Sequence, residues 1–408
     1  MGRRLEATDR AGGAGLPRAA RVAIVNLYPV QYFAPLYAYL SAAPDLEITV
    51  LYCTDASLRA ARSTGFDQSF VWDIDLLHGY ESVFLGPRAR TRVPGGFFSL
   101  IVPEVWGALR AGSYDAVVIH GHRFAVCWLA VLAARLSGVK VMLRAETHLR
   151  LQRSRAKQVV RRLIIGSLCR LCDRLLAIGT ANADFYRHLG VPPDKIVLVP
   201  YAVDNERFVA ASSLSDAERR RLRVELGVPP DRPVILYASK FHPRKRPGDV
   251  VKAAAELRRG GADFTVLMVG DGALRTELEG LVVSLALDNV VFTGFVNQSR
   301  LPAVFAASDV FVLPSENEPW GLVVNEGMCA GLPVVVSREP GCVPDLVGHG
   351  DNGFLFEAGD VAGLAEALHT LLQDPALRER MGQRSRERIA GWGFEQCLTG
   401  LRQALGAS

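Results

Sequence analysis

Residues 309–328, DVFVLPSENEPWGLVVNEGM, join a strongly apolar run to a segment that carries three glutamates. The apolar run predicts a buried strand. Glu318 precedes a proline, which favours an extended backbone, so we predict a loop at this position. A helix then begins near Gly321 and runs to Cys329, with Glu326 on its second turn. A buried strand that leads straight into a helix is typical of the βα units of a parallel sheet.

The same alternation of strand and helix runs along the chain in two series. Strand-like runs of the first series lie at 21–28, 46–53, 114–121, 139–145, 174–180 and 195–201. Those of the second series lie at 233–239, 263–270, 289–294, 309–315 and 333–337. Helical patterns separate several of them, for example at 248–260 and 273–287. This repeat predicts an α/β fold with two Rossmann-like halves, each a parallel sheet with helices on both faces.

The pattern divides the chain into four parts. We predict a disordered tail at residues 1–20, two Rossmann-like domains at 21–203 and 204–390, and a C-terminal segment at 391–408. The joint between the domains falls in the polar stretch 200–208. The last segment holds a short amphipathic helix that does not continue the βα repeat, and its pattern permits it to cross back onto the first domain.

Composition restricts the class of protein. With 408 residues, 49% of them hydrophobic and 22% charged, the chain is neither disordered nor fibrous. The net charge of +5 weakly indicates an anionic partner. Seven scattered cysteines do not suggest a disulfide framework, and we find no secretory signal or membrane-spanning run, so we predict a cytoplasmic protein. Cys169 and Cys172 predict two half-buried helix residues rather than a metal or redox site.

A basic loop at 237–251 follows a predicted strand and precedes a predicted helix. It contains Lys240, Arg244, Lys245 and Arg246. Ligands of open α/β sheets bind beyond the carboxyl ends of the strands, and fixed cations at that edge suit a diphosphate. A solvated basic turn explains the same residues equally well.

Glu318 and Glu326 stand eight positions apart on two different elements, so they do not form a side-by-side acid–base pair. They are spaced to bind two separate hydroxyl-bearing groups, with the free N–H groups of the helix N-terminus between them for a negative group. Sugar, diphosphate and ribose follow one another in that order in a nucleotide sugar. Two surface glutamates are the alternative, which leaves their position after a core strand unexplained.

These motifs resemble those of a known family. The segment SENEPWGLVVNEGMCAGLPVVVS, residues 315–337, is similar to the E-x7-E region of the GT4 retaining glycosyltransferases, with Glu318 and Glu326 as its two glutamates. Further segments similar to that family lie at 239–247, 294–315 and 343–356. The resemblance covers the second half of the chain. It implies the GT-B architecture, in which two Rossmann-like domains face each other, the second holding the donor nucleotide and the first a variable acceptor.

The resemblance implies a role for each candidate residue. Glu326 would accept hydrogen bonds from the ribose hydroxyls, and Glu318 would hold hydroxyls of the transferred sugar. Lys240, at the position of the family's usual arginine, and Lys245, at that of its lysine, would stabilise the charge on the leaving diphosphate. Further donor contacts are expected from Gly321, Leu322, Val323, Phe295 and Val296, the last two beside the base.

The first half resembles the family more loosely. His120 ends a strand where many members have a histidine that faces the donor sugar, although a histidine bonded to backbone explains it nearly as well. Many members also have a glycine pair after the first strand, whereas this chain reads YPVQYF at 28–33, which argues against donor contacts from 29–31. Asp73 and Asp75 are interpreted as a polar turn. Because the family's donor phosphate itself helps to remove the acceptor proton, the resemblance implies no dedicated protein base. Because the two lysines would stabilise the leaving diphosphate, it implies no metal, and no cofactor is expected beyond the nucleotide sugar.

Residues 150–174 contain eight basic residues and one acid. A basic amphipathic helix beside the cleft predicts contact with an anionic membrane surface, on the inner face of the cell membrane, or with a lipid diphosphate. A solvated helix face is an equal alternative. Nucleic acid is not an expected partner, because aromatic residues are not interleaved with these charges.

Other classes of protein fit less well. Gly270 and Gly272 lack the third glycine of a nicotinamide-binding loop, no Walker loop is present, and a sugar-capturing protein would carry an export signal. An epimerase of the same architecture would lack the paired glutamates. We predict a retaining, metal-independent glycosyltransferase of bacterial cell-envelope polysaccharide or glycolipid synthesis, with a glycan, lipid-linked or small-molecule acceptor. A natural-product glycosyltransferase and a non-catalytic nucleotide-sugar-binding protein are the alternatives.

Overall fold

In the computed structural model, the described residues are 18–59, 61–62, 69–86, 95–151 and 155–406. The predicted tail lies outside this part except for residues 18–20, and the first strand already begins at Ala20. Two separate parallel sheets account for the two series of strands, as predicted. None of the helices in the described ranges is long and apolar enough to span a membrane.

The first domain contains a sheet of seven parallel strands in the order β5-β2-β1-β6-β7-β8-β9, and a short antiparallel pair, β3 and β4. Its strands are β1 (Ala20–Asn26), β2 (Leu46–Tyr52), β3 (Ala61–Arg62), β4 (Ser69–Phe70), β5 (Glu81–Phe84), β6 (Ala116–His120), β7 (Lys140–Arg144), β8 (Arg174–Ala177) and β9 (Ile196–Leu198). Its helices are α1 (Phe33–Ser41), α2 (Glu104–Ala111), α3 (Ala125–Leu136), α4 (Arg155–Arg170) and α5 (Thr180–His188). They cover both faces of the sheet.

The second domain contains six parallel strands in the order β12-β11-β10-β13-β14-β15. They are β10 (Val234–Ala238), β11 (Thr265–Val269), β12 (Val290–Gly294), β13 (Val310–Leu313), β14 (Val334–Ser337) and β15 (Gly353–Phe356). The helices are α6 (Asn205–Ser212), α7 (Asp216–Glu225), α8 (Pro247–Arg259), α9 (Arg275–Ser284), α10 (Leu301–Ala306), α11 (Leu322–Cys329), α12 (Val343–Leu346), α13 (Val361–Gln373) and α14 (Pro375–Ala390). Strands β10, β11, β13 and β14 are buried along their whole length, as expected for parallel strands covered on both faces.

The last helix, α15 (Phe394–Leu405), crosses back and packs against β8, β9 and α1 of the first domain. Arg402 forms an ion pair with Asp45 at 2.7 Å, and Lys140 Nζ donates to the Leu405 carbonyl at 2.9 Å. The predicted crossover is therefore confirmed.

One apolar core runs through both domains. It includes Phe33 of α1, Tyr201 after β9 and Trp320 after β13. Trp320 stacks on Trp392, whose ring lies 5.7 Å away just before α15. The relative position of the domains is therefore held by apolar packing as well as by polar contacts.

The predicted strands and helices are found, including α11, which ends at Cys329 as predicted. Four short strands, β3, β4, β5 and β15, were not predicted. The prediction of Cys169 and Cys172 as half-buried helix residues is wrong in detail. Both thiols are fully buried, and Cys172 lies beyond the end of α4. Burial raises the pKa of both thiols, so neither is activated as a nucleophile.

Candidate active site

A cavity of about 960 Å³ lies between the two domains at the carboxyl ends of both sheets. Residues that follow β1 and β7 line one side, and residues that follow β10, β11, β12 and β13 line the other. Open α/β sheets bind their ligands at this edge. Nine of the ten candidate residues line the cavity, namely Lys240, Lys245, Phe295, Val296, Glu318, Gly321, Leu322, Val323 and Glu326.

Glu326 lies at the buried end of the cavity, on α11, with its side chain only 1% exposed. The Tyr32 hydroxyl lies near the carboxyl group, whereas Glu326 Oε1 has no hydrogen-bond partner among the described residues. Burial raises the pKa of Glu326 to about 8, although the nearby Arg207 and the Tyr32 hydroxyl lower it. A buried acceptor oxygen without a partner is costly, so this site favours a ligand that donates a hydrogen bond.

Glu318 lies in the loop before α11 and forms an ion pair with Lys245. The two side chains are only 13% and 18% exposed, respectively. His148 Nε2 lies 2.9 Å from the backbone carbonyl of Glu318, which ties this loop to the first domain. The cation and the carboxylate are therefore paired with each other at the edge of the cavity.

The N-terminus of α11 opens onto the cavity between the two glutamates. Gly321 caps the helix with φ of +98°, a left-handed conformation that favours glycine. A Cβ at Gly321 would also lie 3.1 Å from Leu313 Cδ2. Because the first N–H groups of a helix have no acceptor within it, Gly321, Leu322 and Val323 place free donors beside the cavity.

The basic loop divides into two pairs of cations. Lys240 and Lys245 line the cavity, and burial together with the charge of Lys245 lowers the pKa of Lys240. Arg246 turns away to form ion pairs with Asp249 and Glu316 at 2.6 and 3.2 Å. The fourth cation, Arg244, does not line the cavity either. Of the four cations of the loop, only the two lysines are therefore positioned for an anionic ligand in the cavity.

His120 ends β6 as predicted but does not line the cavity. Its ring packs edge-on against Phe33 at 4.6 Å, and its Nε2 lies 3.3 Å from the Tyr37 hydroxyl. Burial and the positive charge of Arg144 lower the pKa of His120 well below its usual range. In this structure the imidazole is a neutral partner of α1, and a contact with a donor sugar would require a shift of the β6 end or of α1.

Glu146 was missed by the sequence analysis. It follows β7, and it is the only carboxylate of the first domain that lines the cavity among the described residues. Its side chain is exposed to the cavity, where desolvation and the nearby charge of Glu318 raise its pKa. The signal that could have identified it is its position directly after a predicted strand, because that position faces the ligand edge of the sheet.

The loop after β1 contributes more than its sequence suggested. Pro29, Val30 and Gln31 all line the cavity, and so does Tyr32. Where many family members have a glycine pair that lets the backbone come close to the donor, this chain has larger side chains that line the cavity. That residues 29–31 make no contact with the donor stays a prediction.

Asp73 belongs to the interface between the domains, whereas Asp75 lies in a turn of the first domain. Asp73 Oδ1 accepts a hydrogen bond from the Ser299 amide at 3.1 Å, and Asp75 accepts one from the Leu77 amide at 2.9 Å. Throughout the described ranges, no group of three or more His, Cys, Asp or Glu side chains is placed to hold a metal ion.

Comparison with known proteins gives the family. Residues 218–388 match the model of the glycosyl transferases group 1, and 36–207 match that of glycosyltransferase family 4. A D-inositol 3-phosphate glycosyltransferase from Arthrobacter sp. (strain FB24) is 32% identical over 298 residues, which cover 70% of this chain and 68% of the relative. The chain belongs to glycosyltransferase family 4. This family 4 glycosyltransferase is also 40% identical over 190 residues to the 2-deoxystreptamine glucosyltransferase of Streptomyces kanamyceticus.

The match to the S. kanamyceticus enzyme covers 46% of this chain and 48% of that relative, so the chain spans about half the length of this relative.

The fold of this chain resembles that of Anabaena HepE (Alr3699) in complex with UDP, with a TM-score of 0.73 and 18% identity. The superposition covers 95% of this chain and 100% of HepE. The GT-B fold predicted from the sequence is therefore confirmed.

Proposed function

We propose that this protein is a retaining glycosyltransferase that moves a sugar from a nucleoside diphosphate to an acceptor hydroxyl. The buried Glu326 carries the proposal, because its Oε1 has no partner among the described residues and its side chain lines the same cavity as a helix N-terminus and two lysines. A ribose hydroxyl would donate to Glu326, and the diphosphate would bind the first amides of α11. The sugar would then lie at Glu318 and the base at Phe295.

The two lysines account for the main chemical demand of the reaction. When the bond between the sugar C1 and the diphosphate oxygen breaks, the electron pair stays on the diphosphate, and Lys240 and Lys245 stabilise that charge. The acceptor oxygen attacks C1 from the same face, and its proton passes to the departing phosphate oxygen. Lys245 already lies beside Glu318, so the catalytic cation and the sugar-binding carboxylate are positioned by one ion pair.

No bound metal is part of this proposal, because Lys240 and Lys245 supply the charge that the leaving diphosphate needs. An assay with and without EDTA tests this point. Turnover that is lost in EDTA and restored by Mg²⁺ would contradict it.

The acceptor in the proposal belongs to cell-envelope polysaccharide or glycolipid synthesis at the inner face of the membrane. Helices α3 and α4 carry no acidic residue. They expose four large apolar side chains, Leu132, Leu136, Leu163 and Ile164, and Leu171 just after α4 is also exposed. Arg135 binds Asp173 at 3.0 Å, which joins the two helix ends. An apolar surface with basic neighbours suits anionic lipid.

Vesicle flotation tests this surface. We expect binding to vesicles of phosphatidylglycerol, little binding to phosphatidylcholine, and loss of binding in the Leu163→Glu variant with catalysis in solution unchanged. Self-association of the protein through the same surface, without vesicle binding, would contradict membrane contact. A natural-product acceptor is the second candidate, favoured by the similarity to the 2-deoxystreptamine glucosyltransferase.

Calorimetric titration with UDP, GDP, ADP and TDP, without added metal, tests the donor site. The HepE fold neighbour in complex with UDP makes UDP the first choice. We expect micromolar binding of one nucleotide that is weakened in Glu326→Ala by about 1–3 kcal/mol. Glu316→Ala is the matched control, since Glu316 pairs with Arg246 outside the cavity. If the folded protein binds none of these nucleotides, the proposed donor site is wrong, and the alternative of a non-catalytic binding protein becomes the one to test.

A further inference from the structure

Trp72 extends from the first domain to the second, next to the residues expected beside the base. Its ring lies 6.3 Å from that of Phe295, inclined at 62°, and both side chains line the cavity. Trp72 is half-buried, so one part of the indole faces the cavity rather than a protein core. Two aromatic rings from two domains therefore meet at one end of the cavity.

Hydrogen bonds to the second domain hold the residues on both sides of Trp72. Asn297 Nδ2 donates to the Val71 carbonyl at 2.7 Å. The Ser299 amide donates to Asp73 Oδ1 at 3.1 Å, and the Ser299 hydroxyl donates to the other oxygen of Asp73. We name these five residues, 71–73 with Asn297 and Ser299, the interdomain clasp. Its polar contacts are exposed, so each contributes little alone and the clasp can open.

The clasp is continuous with the end of the cavity assigned to ribose. Gln298 lies between the two clasp residues of the second domain and lines the cavity. Its carbonyl and side-chain oxygens accept hydrogen bonds from Arg207 at 2.7 and 2.9 Å. Arg207 is also close enough to Glu326 to lower the pKa of that carboxyl. A nucleoside whose ribose contacts Glu326 would thus extend its base towards Phe295 and Trp72.

We propose that Trp72 forms the first-domain wall of the nucleobase pocket, and that nucleotide binding strengthens the interdomain clasp. The inference rests on the proposed function, because it takes the ligand to be a nucleotide. Every nucleobase has a flat π face that stacks on aromatic side chains. Because the rings belong to different domains, a base that contacts both binds the clasped arrangement more tightly than an open one and shifts the population towards it.

Titration calorimetry of UDP, or of the tightest nucleotide in the panel, and of inorganic pyrophosphate tests the wall. We expect Trp72→Ala to weaken nucleotide binding about tenfold, as for loss of one base stack, and to leave pyrophosphate binding unchanged. Trp72→Phe keeps a ring and should stay within about threefold of the wild type. Phe98→Ala is the matched control, because Phe98 is a 73% exposed first-domain aromatic that does not line the cavity.

The clasp is tested by a second pair of variants. Asp73→Ala removes both acceptors of Ser299 and should weaken nucleotide binding, whereas Asp73→Asn keeps an acceptor for the amide and should bind more tightly than the alanine variant. Unchanged nucleotide affinity in Trp72→Ala, or an equal loss for nucleotide and pyrophosphate, would overturn the inference while leaving the proposed function intact. If the wild type binds no nucleotide, both fail together.

Discussion

Replacement of Glu326 by glutamine should make the protein more stable at alkaline pH than the wild type. Glu326 is 1% exposed, and Oε1 has no hydrogen-bond partner among the described residues. Burial raises its pKa to about 8 from an ordinary 4.5 in spite of the nearby Arg207. Glutamine keeps the size and one acceptor oxygen but carries no charge at any pH. The substitution therefore removes the cost of burying a carboxylate and little else.

The sign of the effect follows from proton binding. A carboxyl whose pKa is higher in the folded protein holds its proton more tightly there than in the unfolded chain. Stability is unaffected by Glu326 below about pH 4.5, falls as the pH rises from 4.5 to 8, and is constant above 8. The gap between 4.5 and about 8 corresponds to an upper limit of roughly 4–5 kcal/mol. Most of this loss of stability occurs above pH 5.

Urea unfolding of the ligand-free wild type and of Glu326→Gln at several pH values between 5 and 9 measures the effect. The quantity of interest is the difference in the free energy of unfolding between the two proteins, because all other titrating groups are common to both. We expect the difference to rise with pH in favour of the glutamine variant by a few kcal/mol. Glu357→Gln, at a side chain that is 73% exposed, is the control. A difference that stays constant from pH 5 to 9 would refute the reasoning.

Three further predictions concern the site itself. Ribose hydroxyls would donate to an ionised Glu326, so nucleotide binding below pH 8 should release the proton of this carboxyl group. The release is detected as a binding enthalpy that depends on the ionisation enthalpy of the buffer. The Glu326→Gln variant should show no such dependence. Lys245→Ala should lower kcat about 10²–10³-fold with a smaller change in nucleotide affinity. Arg244→Ala, at a residue outside the cavity, should leave kcat unchanged. Equal losses of kcat in the two variants would contradict the conclusion that only the lysines of the basic loop act on the ligand. His120→Ala should lower the melting temperature and leave nucleotide affinity unchanged, since the ring packs on α1; a loss of turnover without loss of stability would favour the role implied by the family resemblance.

Much of the fold was accessible from the sequence because its signals are local. Continuous apolar runs predicted the central strands, and Gly321 after an extended Glu318 predicted the start of α11. The strands that were missed are short and lie at sheet edges. Strand β5 alternates between exposed and half-buried positions, and β15 has only four residues, so neither forms a long apolar run.

The candidate site divides in the same way. The residue types at Glu318, Glu326 and Lys245 were visible as motifs, whereas Tyr32 and Glu146 belong to no motif and face the cavity only because two domains meet. Residues that pair across the cleft are far apart in the chain: Asp73 and Ser299 are separated by 226 positions. No periodicity or spacing rule links such residues, since their proximity depends on how the domains pack.

The sequence by itself determined two parallel sheets, the helix that presents Glu326 and the two lysines of the basic loop, because these follow from backbone preferences and hydrophobic patterns over a few residues. Tertiary structure alone decided which charges face the cavity, where His120 packs and how strongly Glu326 holds its proton. The physical reason is that burial, ion pairing and desolvation are properties of the surroundings of a side chain. Those surroundings are supplied by distant segments brought together when both domains share one apolar core.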